Sequence, residues 1–307
     1  MMVESWGWVY LTFLAAGSQA LRTGGQKHLT QHLTTHGVTL VRFAFGLPFA
    51  VVYLIGIMQL QDRVLPEFPS IFFIFCLAGS LSQIIATMLL VYLFSLRNFA
   101  VGTTYARTEA FLTAVVGALL FGEVISFLGW LAIGVSVIGV VIITAVRTGI
   151  DQTSSLLSRL FNKPAAVGLA SGFFFALSAL FIRQASLSLN LDSFAFPAAL
   201  TLVTLIVMQC IMLGSYLLVT QRNQFAIMAQ QWKVGAFVGG TSTLGSIGWF
   251  TAFTMQNAGY VKALGQIEFI FTLAISMLFF KEKSSRGELI DMLLVVLGIG
   301  FLLCVCR

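Results

Sequence analysis

Five charged side chains lie inside apolar segments of this chain, where a charge is costly. They are Arg42, Arg107, Glu109, Lys262 and Glu268. Charged groups in a membrane interior pair with one another or face a water-filled cavity, and they often mark a transport path. Arg107 offers a planar fork of donors and Lys262 a compact ammonium group, so together they suit an anion such as a carboxylate. We therefore predict a substrate-binding site that contains both cations.

Helical spacing places neutral polar groups beside these two cations. Thr103 lies four residues before Arg107, and Gln266 lies four residues after Lys262. Residues four apart share one helix face, so we predict that Thr103 and Gln266 also bind substrate. Small residues on the Arg107 face, Ala110 and Ala114, predict the wall of a cavity. The other candidate substrate-binding residues are Arg42, Gln83 and Trp249. Weaker candidates for hydrogen bonding are Gln19, Gln184, Thr241 and Ser242.

The two buried glutamates require a different interpretation. Glu109 lies two residues from Arg107, or roughly 200° around the helix, so the two cannot form an ion pair within it. Glu109 must therefore find a partner on another helix or carry a proton. Two hypotheses stay open for Glu109 and Glu268: they are proton-coupling sites, or they are clamps between helices. Arg22 and Arg183 lie nearer the ends of apolar segments and are expected either to reach the membrane interface or to have structural roles.

Composition identifies an integral membrane protein. The 307 residues are 58% hydrophobic and 9% charged, with a mean hydropathy of +0.96, whereas soluble chains carry about 25% charged residues. The net charge of +6 fits contact with anionic lipid headgroups better than nucleic-acid binding. The four cysteines form no Cys-x-x-Cys pair, and His28, His32 and His36 have no acidic residue or cysteine beside them, so we expect no metal site, disulfide or cofactor.

A polar signature repeats within the chain at a constant offset. Asn98, Glu109, Thr113, Glu123 and Gly139 recur 159 positions later as Asn257, Glu268, Thr272, Glu282 and Gly298. Apolar segments predict ten spans, at about 5–25, 37–59, 70–95, 98–121, 126–146, 164–184, 194–219, 232–255, 258–280 and 287–306. We predict an all-α integral membrane fold of ten transmembrane helices, arranged as two inverted five-helix repeats around a central cavity. The repeats are residues 1–147 and 164–307, joined by a polar linker at 148–163.

The repeated run resembles a known transporter family. Glu109-Ala110-Phe111-Leu112-Thr113 is followed by Gly122-Glu123, and Glu268-Phe269-Ile270-Phe271-Thr272 is followed by Lys281-Glu282. These runs are similar to the EamA family of the drug/metabolite transporter superfamily, although the proline that usually follows the first glutamate is absent from both. The resemblance implies a ten-helix basket around a central cavity, in members that often export amino acids and related metabolites across bacterial inner membranes.

The predicted function is secondary active transport, with export of small metabolites such as amino acids or related carboxylates across the cell inner membrane. Inverted repeats are typical of alternating access. The alternative is export of cationic, lipophilic drugs, which would require Glu109 and Glu268 to face the cavity. An integral-membrane enzyme fits less well, since the apolar segments carry no nucleophile–base pair or His-Glu-x-x-His motif. The expected partners are a small-molecule substrate and the lipid bilayer, and no nucleic acid.

Three properties are left open by the sequence: proton coupling, a homodimer and the orientation of the termini. Lys and Arg are concentrated on the loops that would place both termini outside the cell under the positive-inside rule. EamA members usually have both termini in the cytoplasm.

Overall fold

All regular structure in the described part of the chain is helical. The computed structural model describes residues 2–94, 108–131, 133–134, 163–268, 270–271 and 300. Within the first half the helices are α1 (Met2–Leu29), α2 (Thr35–Ala44), α3 (Leu47–Leu60), α4 (Ser70–Phe94) and α5 (Glu109–Phe121). Within the second half they are α6 (Lys163–Ser188), α7 (Ala195–Thr220), α8 (Asn223–Gln230), α9 (Trp232–Met255) and α10 (Ala258–Leu264), which a 3₁₀ turn (Gly265–Ile267) follows.

Four segments in the described ranges are long and apolar enough to cross a bilayer. They are Thr35–Leu60, Ser70–Leu93, Ala166–Ser188 and Ala195–Thr220. Each exceeds the length of about 20 residues that spans the hydrocarbon core as a helix. The all-helical membrane class is therefore confirmed. The arrangement of ten spans in inverted repeats stays a prediction, and most of the predicted spans at 126–146 and 287–306 lies outside the described residues.

The second predicted span, 37–59, is broken in the middle. Helix α2 ends at Ala44 and α3 begins at Leu47, with Pro48 in its first turn. Proline has no N–H and its ring clashes with the preceding turn, so a continuous helix is unfavourable there. The Gly46 carbonyl at the break accepts a hydrogen bond of 2.9 Å from the Thr243 hydroxyl of α9. A side chain from the second half of the chain thus satisfies the backbone that the break exposes.

Helix α9 lies against this break at very short range. A Cβ atom built on Gly239 would stand 2.4 Å from the Phe45 carbonyl carbon and 2.7 Å from the Gly46 nitrogen. Such distances are shorter than carbon contacts allow, so only glycine permits this approach. Small residues let helix backbones meet closely where lipid provides no hydrophobic driving force.

The principal helix pairs each join the two halves of the chain. Helix α1 packs along α9, and α4 packs along α6. Helix α5 contacts both α6 and α10. Because the closest neighbours of first-half helices come from the second half, any cavity between them is lined by both halves.

Candidate substrate site

A small polar cavity lies between the two halves. Gln19, Arg42 and Gln83 line it from the first half of the chain, and the second half contributes Phe175, Ser178, Ala179, Ile182, Ser246, Trp249, Phe250, Phe253 and Lys262. Its volume is about 30 Å³, close to the volume of one water molecule in the liquid. A cavity of this size must widen before it can hold a metabolite.

Lys262 is held in this cavity by a carboxylate and three aromatic rings. Its Nζ lies 3.4 Å from Glu109 Oε1. The ring centroids of Trp249, Phe253 and Phe175 lie 4.7, 5.7 and 5.8 Å from Nζ. These distances are within the range of about 6 Å for attraction between a cation and an aromatic face. Lys262 is also in the last turn of α10, where the helix dipole favours a positive charge.

A second set of hydrogen bonds leads from Trp249 to the other glutamate. The Trp249 indole N–H donates to Gln19 Oε1 at 3.0 Å, and Gln19 Nε2 donates to Glu268 Oε2 at 2.6 Å. The Trp249 ring lies against Lys262, which binds Glu109. Contacts therefore run without a gap from Glu268 through Gln19, Trp249 and Lys262 to Glu109, and we call these five residues the central network.

The 3₁₀ turn after α10 gives Trp249 its position in this network. A Cβ atom built on Gly265 would lie 2.3 Å from Trp249 Cη2, so the indole fits only against a glycine. A 3₁₀ turn has about 3.0 residues per turn instead of 3.6. The argument that put Lys262 and Gln266 on one face assumed a continuous α-helix, and the role of Gln266 in substrate binding stays a prediction. Gln266 is buried, and it is not among the residues that line the cavity.

Two further buried cations lie close to the central network. Arg42 donates from Nε to Ser242 Oγ at 3.0 Å and from Nη1 to Thr87 Oγ1 at 2.7 Å. Arg22 is only 3% exposed and lies within electrostatic reach of Glu268 and Glu109. Its Nε has no hydrogen-bond partner in the described part of the chain. Two roles were left open for Arg22, and its enclosure beside two carboxylates favours the structural role over reaching the interface.

Charge in this region is positive on balance. The described ranges bring Arg22, Arg42 and Lys262 together with Glu109 and Glu268, which is three cations against two carboxylates. In a site of low dielectric, such an excess favours an anionic ligand.

A separate polar cluster joins the ends of α5 and α9. Arg183 Nε lies 3.0 Å from Glu123 Oε1, and its Nη1 donates to the carbonyls of Phe253 and Gln256, the latter at 2.7 Å. Arg183 Nη2 donates to Asn257 Oδ1 at 3.3 Å. Glu123 and Asn257 both belong to the repeated signature, one from each copy. We call this cluster the Arg183 clamp, and it shows that Arg183 has a structural partner instead of reaching the interface.

Comparison with protein families places these features in a transporter context. The model of the EamA-like transporter family matches residues 162–304. This confirms the resemblance that the repeated run indicated, within the drug/metabolite transporter superfamily. The matched region contains Trp249, Phe253 and Lys262, so most of the aromatic lining of the cavity is EamA-type sequence.

Comparison with solved structures supports the fold. A structure described as "Crystal structure of protein" covers 98% of this chain and 97% of its own chain, with a TM-score of 0.70 and 12% sequence identity. At this identity the likeness shows the fold alone. The comparison with curated proteins found no match.

The substrate-binding residues predicted from the sequence fall into two groups in the structure. Arg42, Gln83 and Trp249 line the cavity, and Gln83 accepts a hydrogen bond of 2.7 Å from Gln209. Arg107 and Thr103 lie outside the described residues, so their proposed contact with substrate stays a prediction.

Ala110 and Ala114, which were predicted to form a cavity wall beside Arg107, are fully buried and are not among the residues that line this cavity. A Cβ atom built on Gly259 would lie 3.1 Å from the Ala114 Cα. The small side chain of Ala114 therefore allows α5 and α10 to touch. The same close contact is what brings Glu109 on α5 within reach of Lys262 on α10.

Two of the three aromatic rings around Lys262, those of Phe175 and Phe253, were not predicted from the sequence. Phe175 ends a run of three phenylalanines at 173–175, and Phe253 lies four residues after Trp249. The spacing of Trp249 and Phe253 placed both rings on one helix face, and they stack with centroids 5.7 Å apart. The four-residue spacing of Trp249 and Phe253 can be seen in the sequence. The same spacing of apolar residues is equally typical of the lipid-facing surface of a membrane helix.

The described ranges also contain histidine and cysteine side chains, the residue types that bind metal ions or form disulfides. No group of three His, Cys, Asp or Glu side chains there could hold a metal ion. His28 and His32 contact each other edge to face, whereas His36 lies against Tyr216. Cys76 and Cys210 are free thiols.

Proposed function

We propose that the chain is a secondary active transporter that exports small carboxylate-bearing metabolites, such as amino acids, across the cell inner membrane by alternating access. One observation carries this proposal: the small cavity between the two halves is lined by two buried cations, Arg42 from α2 and Lys262 from α10. Membership of an EamA-like transporter family supports transport as the general function. Export is the direction that the family resemblance implies.

The charge balance of the site supports an anionic group on the substrate. Three buried cations outnumber the two carboxylates in the described region. A substrate carboxylate would offset this excess, and the ammonium of Lys262 can donate to a second oxygen because it has three N–H donors. Aromatic rings on α6 and α9 would contact the apolar part of the metabolite. A cavity of about 30 Å³ cannot hold such a molecule, so binding requires the halves to separate, as alternating access does.

A second candidate function is export of lipophilic cations, which the aromatic rings around Lys262 favour. This set of rings already surrounds an ammonium group, with Glu109 as its counter-ion. A foreign cation could occupy the same place if Lys262 moved away. The charge excess opposes this alternative, because a substrate cation would add to the positive balance instead of offsetting it.

Transport by purified protein in liposomes distinguishes the two candidates. The substrates are a pooled panel of amino acids and monocarboxylates and a pooled panel of lipophilic cations, each tested with and without a pH gradient. Uptake of amino acids or carboxylates that is lost in Lys262→Gln supports the proposal. The matched control is Lys233→Gln, since Lys233 is exposed and also contacts an aromatic ring, 5.9 Å from the Trp232 centroid. Transport of cations alone would replace the proposal with the second candidate.

A further inference from the structure

We propose that Arg42 binds the anionic group of the substrate directly while Lys262 keeps Glu109 as its partner, and that the preferred substrate carries one net negative charge. This inference rests on the proposed function for transport itself. It adds which side chain recognises the substrate and which net charge the substrate has.

Arg42 is a buried cation without a carboxylate partner among the described residues. It is only 5% exposed, and it donates to two hydroxyl groups, from Nε to Ser242 and from Nη1 to Thr87. Hydroxyl groups carry no charge that could offset the guanidinium. A guanidinium has five N–H donors, so these two bonds leave others available for a ligand. Because Arg42 lines the central cavity, a carboxylate that enters the cavity meets a planar group suited to bind it.

The other two buried cations already have carboxylates close to them. Lys262 Nζ lies 3.4 Å from Glu109 Oε1, and Arg22 is within electrostatic reach of Glu268 and Glu109. The positive excess among the described residues therefore lies at Arg42. A buried charge without a counter-ion is unfavourable, and one bound monoanion would remove that cost.

Buried polar atoms without partners lie on the face of α1 that carries Arg22. Arg22 is within electrostatic reach of Arg42, and like charges repel strongly where the dielectric is low. In the part of the chain that the structure describes, Arg22 Nε has no hydrogen-bond partner, and neither has the side-chain amide of Gln26, which is fully buried one turn further along α1. Such groups normally have partners in folded proteins. An anion near the two arginines would replace their repulsion with attraction to a shared ligand.

The local structure holds Arg42 in place before a substrate binds. Arg42 lies in the last turn of α2, directly before the break in the second span, where the helix dipole favours a positive charge. Ser242 binds its side chain, and the next residue, Thr243, binds the Gly46 carbonyl at the break. Discontinuous helices of this kind form substrate sites in many transporters. A guanidinium that is already oriented loses little freedom when it binds a ligand.

The charge of the site separates simple carboxylates from zwitterions. Acetate supplies an anion alone, whereas glycine brings the same carboxylate together with an ammonium group. That ammonium group would restore the positive excess that the carboxylate removes. We therefore expect glycine to bind at least about tenfold more weakly than acetate, because like charges placed together in a buried site are costly.

Equilibrium binding of acetate to the purified protein tests the role of Arg42. Binding is followed at pH 7 and constant ionic strength by intrinsic tryptophan fluorescence, since Trp249 lines the same cavity. Arg42→Gln should weaken acetate binding by at least about tenfold, because hydrogen bonds to a charged group are lost. Arg42→Lys keeps the charge without the planar fork, and its affinity should lie between those of the wild type and Arg42→Gln. Arg222→Gln makes the same change at an exposed position and should bind acetate like the wild type.

A charge-matched double variant separates Arg42 from Lys262 as the binding group. Lys262→Gln combined with Glu109→Gln removes both members of the ion pair and leaves the positive excess unchanged. Acetate affinity should then fall by no more than about threefold. Lys262→Gln alone is a different case, because it leaves Glu109 without its partner and cancels the positive excess. Loss of transport in that single variant is therefore expected here as well.

Each outcome has a defined consequence. Wild-type acetate affinity in Arg42→Gln, or in Arg42→Lys if the glutamine variant fails to fold, would overturn the role of Arg42. Loss of acetate binding in the double variant would assign the anion to Lys262 instead. Absence of binding to the wild-type protein would also overturn the inference, and glycine binding as tight as that of acetate would contradict the net charge. The liposome panel decides the proposed function separately, since it measures transport whichever side chain binds the substrate.

Discussion

Removal of Arg183 should destabilise the protein more than removal of any exposed arginine. The guanidinium pairs with Glu123 and donates to two backbone carbonyls and to Asn257. The Arg183 and Glu123 side chains are 15% and 4% exposed. Removing one partner of such a buried pair costs about 3–5 kcal/mol, because the other charge remains buried without compensation. We expect the loss of unfolding free energy in Arg183→Ala to lie at the lower end of this range, since water can reach part of the site.

A double-mutant cycle separates the ion pair from the other contacts of Arg183. Glu123→Ala alone should also destabilise the protein, because it leaves the guanidinium short of a counter-ion. The double variant should cost less than the sum of the single variants, with a coupling energy of about 1–3 kcal/mol, since it leaves no orphan charge. Thermal and SDS-induced unfolding of the purified protein in detergent measure these differences.

The control for this prediction is Arg222→Ala. Arg222 is exposed and donates only to the Leu218 carbonyl of the preceding turn in the described structure. Its removal should change stability by no more than about 0.5 kcal/mol. If Arg183→Ala costs no more than Arg222→Ala, or if the effects of Arg183→Ala and Glu123→Ala simply add, the Arg183 clamp does not join α5 to α9 as we describe.

Two further substitutions test the close contacts of α9. Gly239→Ala should reduce thermal stability strongly, because its Cβ would meet backbone atoms at 2.4 Å, whereas Gly240→Ala would meet its nearest atom at 3.6 Å and should be tolerated; equal melting temperatures would contradict this packing. Trp249→Phe keeps a ring beside Lys262 but loses the N–H donated to Gln19. We expect the free energy of unfolding to fall by about 1 kcal/mol. An unchanged free energy of unfolding would contradict the place of this hydrogen bond in the central network.

The sequence predicts the helical membrane class and several helix positions well. Long apolar runs predict spans because length and hydropathy alone decide whether a helix can cross a bilayer. The predicted span at 37–59 ran through the break between α2 and α3, although Pro48 marks this break in the sequence. The 3₁₀ turn after Leu264 could not be predicted from the sequence. Glycines such as Gly265 are common in packed helices, and only the structure shows that the Trp249 ring lies against this one.

The candidate site is predictable in its residues but not in its pairings. Charges in apolar segments identified Lys262 and Glu109. Helix geometry left two options for Glu109, a partner on another helix or a bound proton, and the structure shows Lys262 as a partner. Periodicity gives the face of one helix and says nothing about which helix it meets. The pairing therefore needed the contact between α5 and α10, and the enclosure of Arg22 needed the positions of both glutamates.

The two copies of the repeated signature differ at the positions that matter for binding. Lys262 corresponds to Thr103 in the first copy, and Gln266 corresponds to Arg107, so each copy has one cation and one neutral group in reversed order. The glutamate of the first copy pairs with Lys262, whereas Glu268 accepts a hydrogen bond from Gln19. A duplicated scaffold that served only to clamp helices would be expected to repeat its contacts. The different recorded partners, Lys262 for Glu109 and Gln19 for Glu268, therefore favour separate roles for the two glutamates over one clamp used twice.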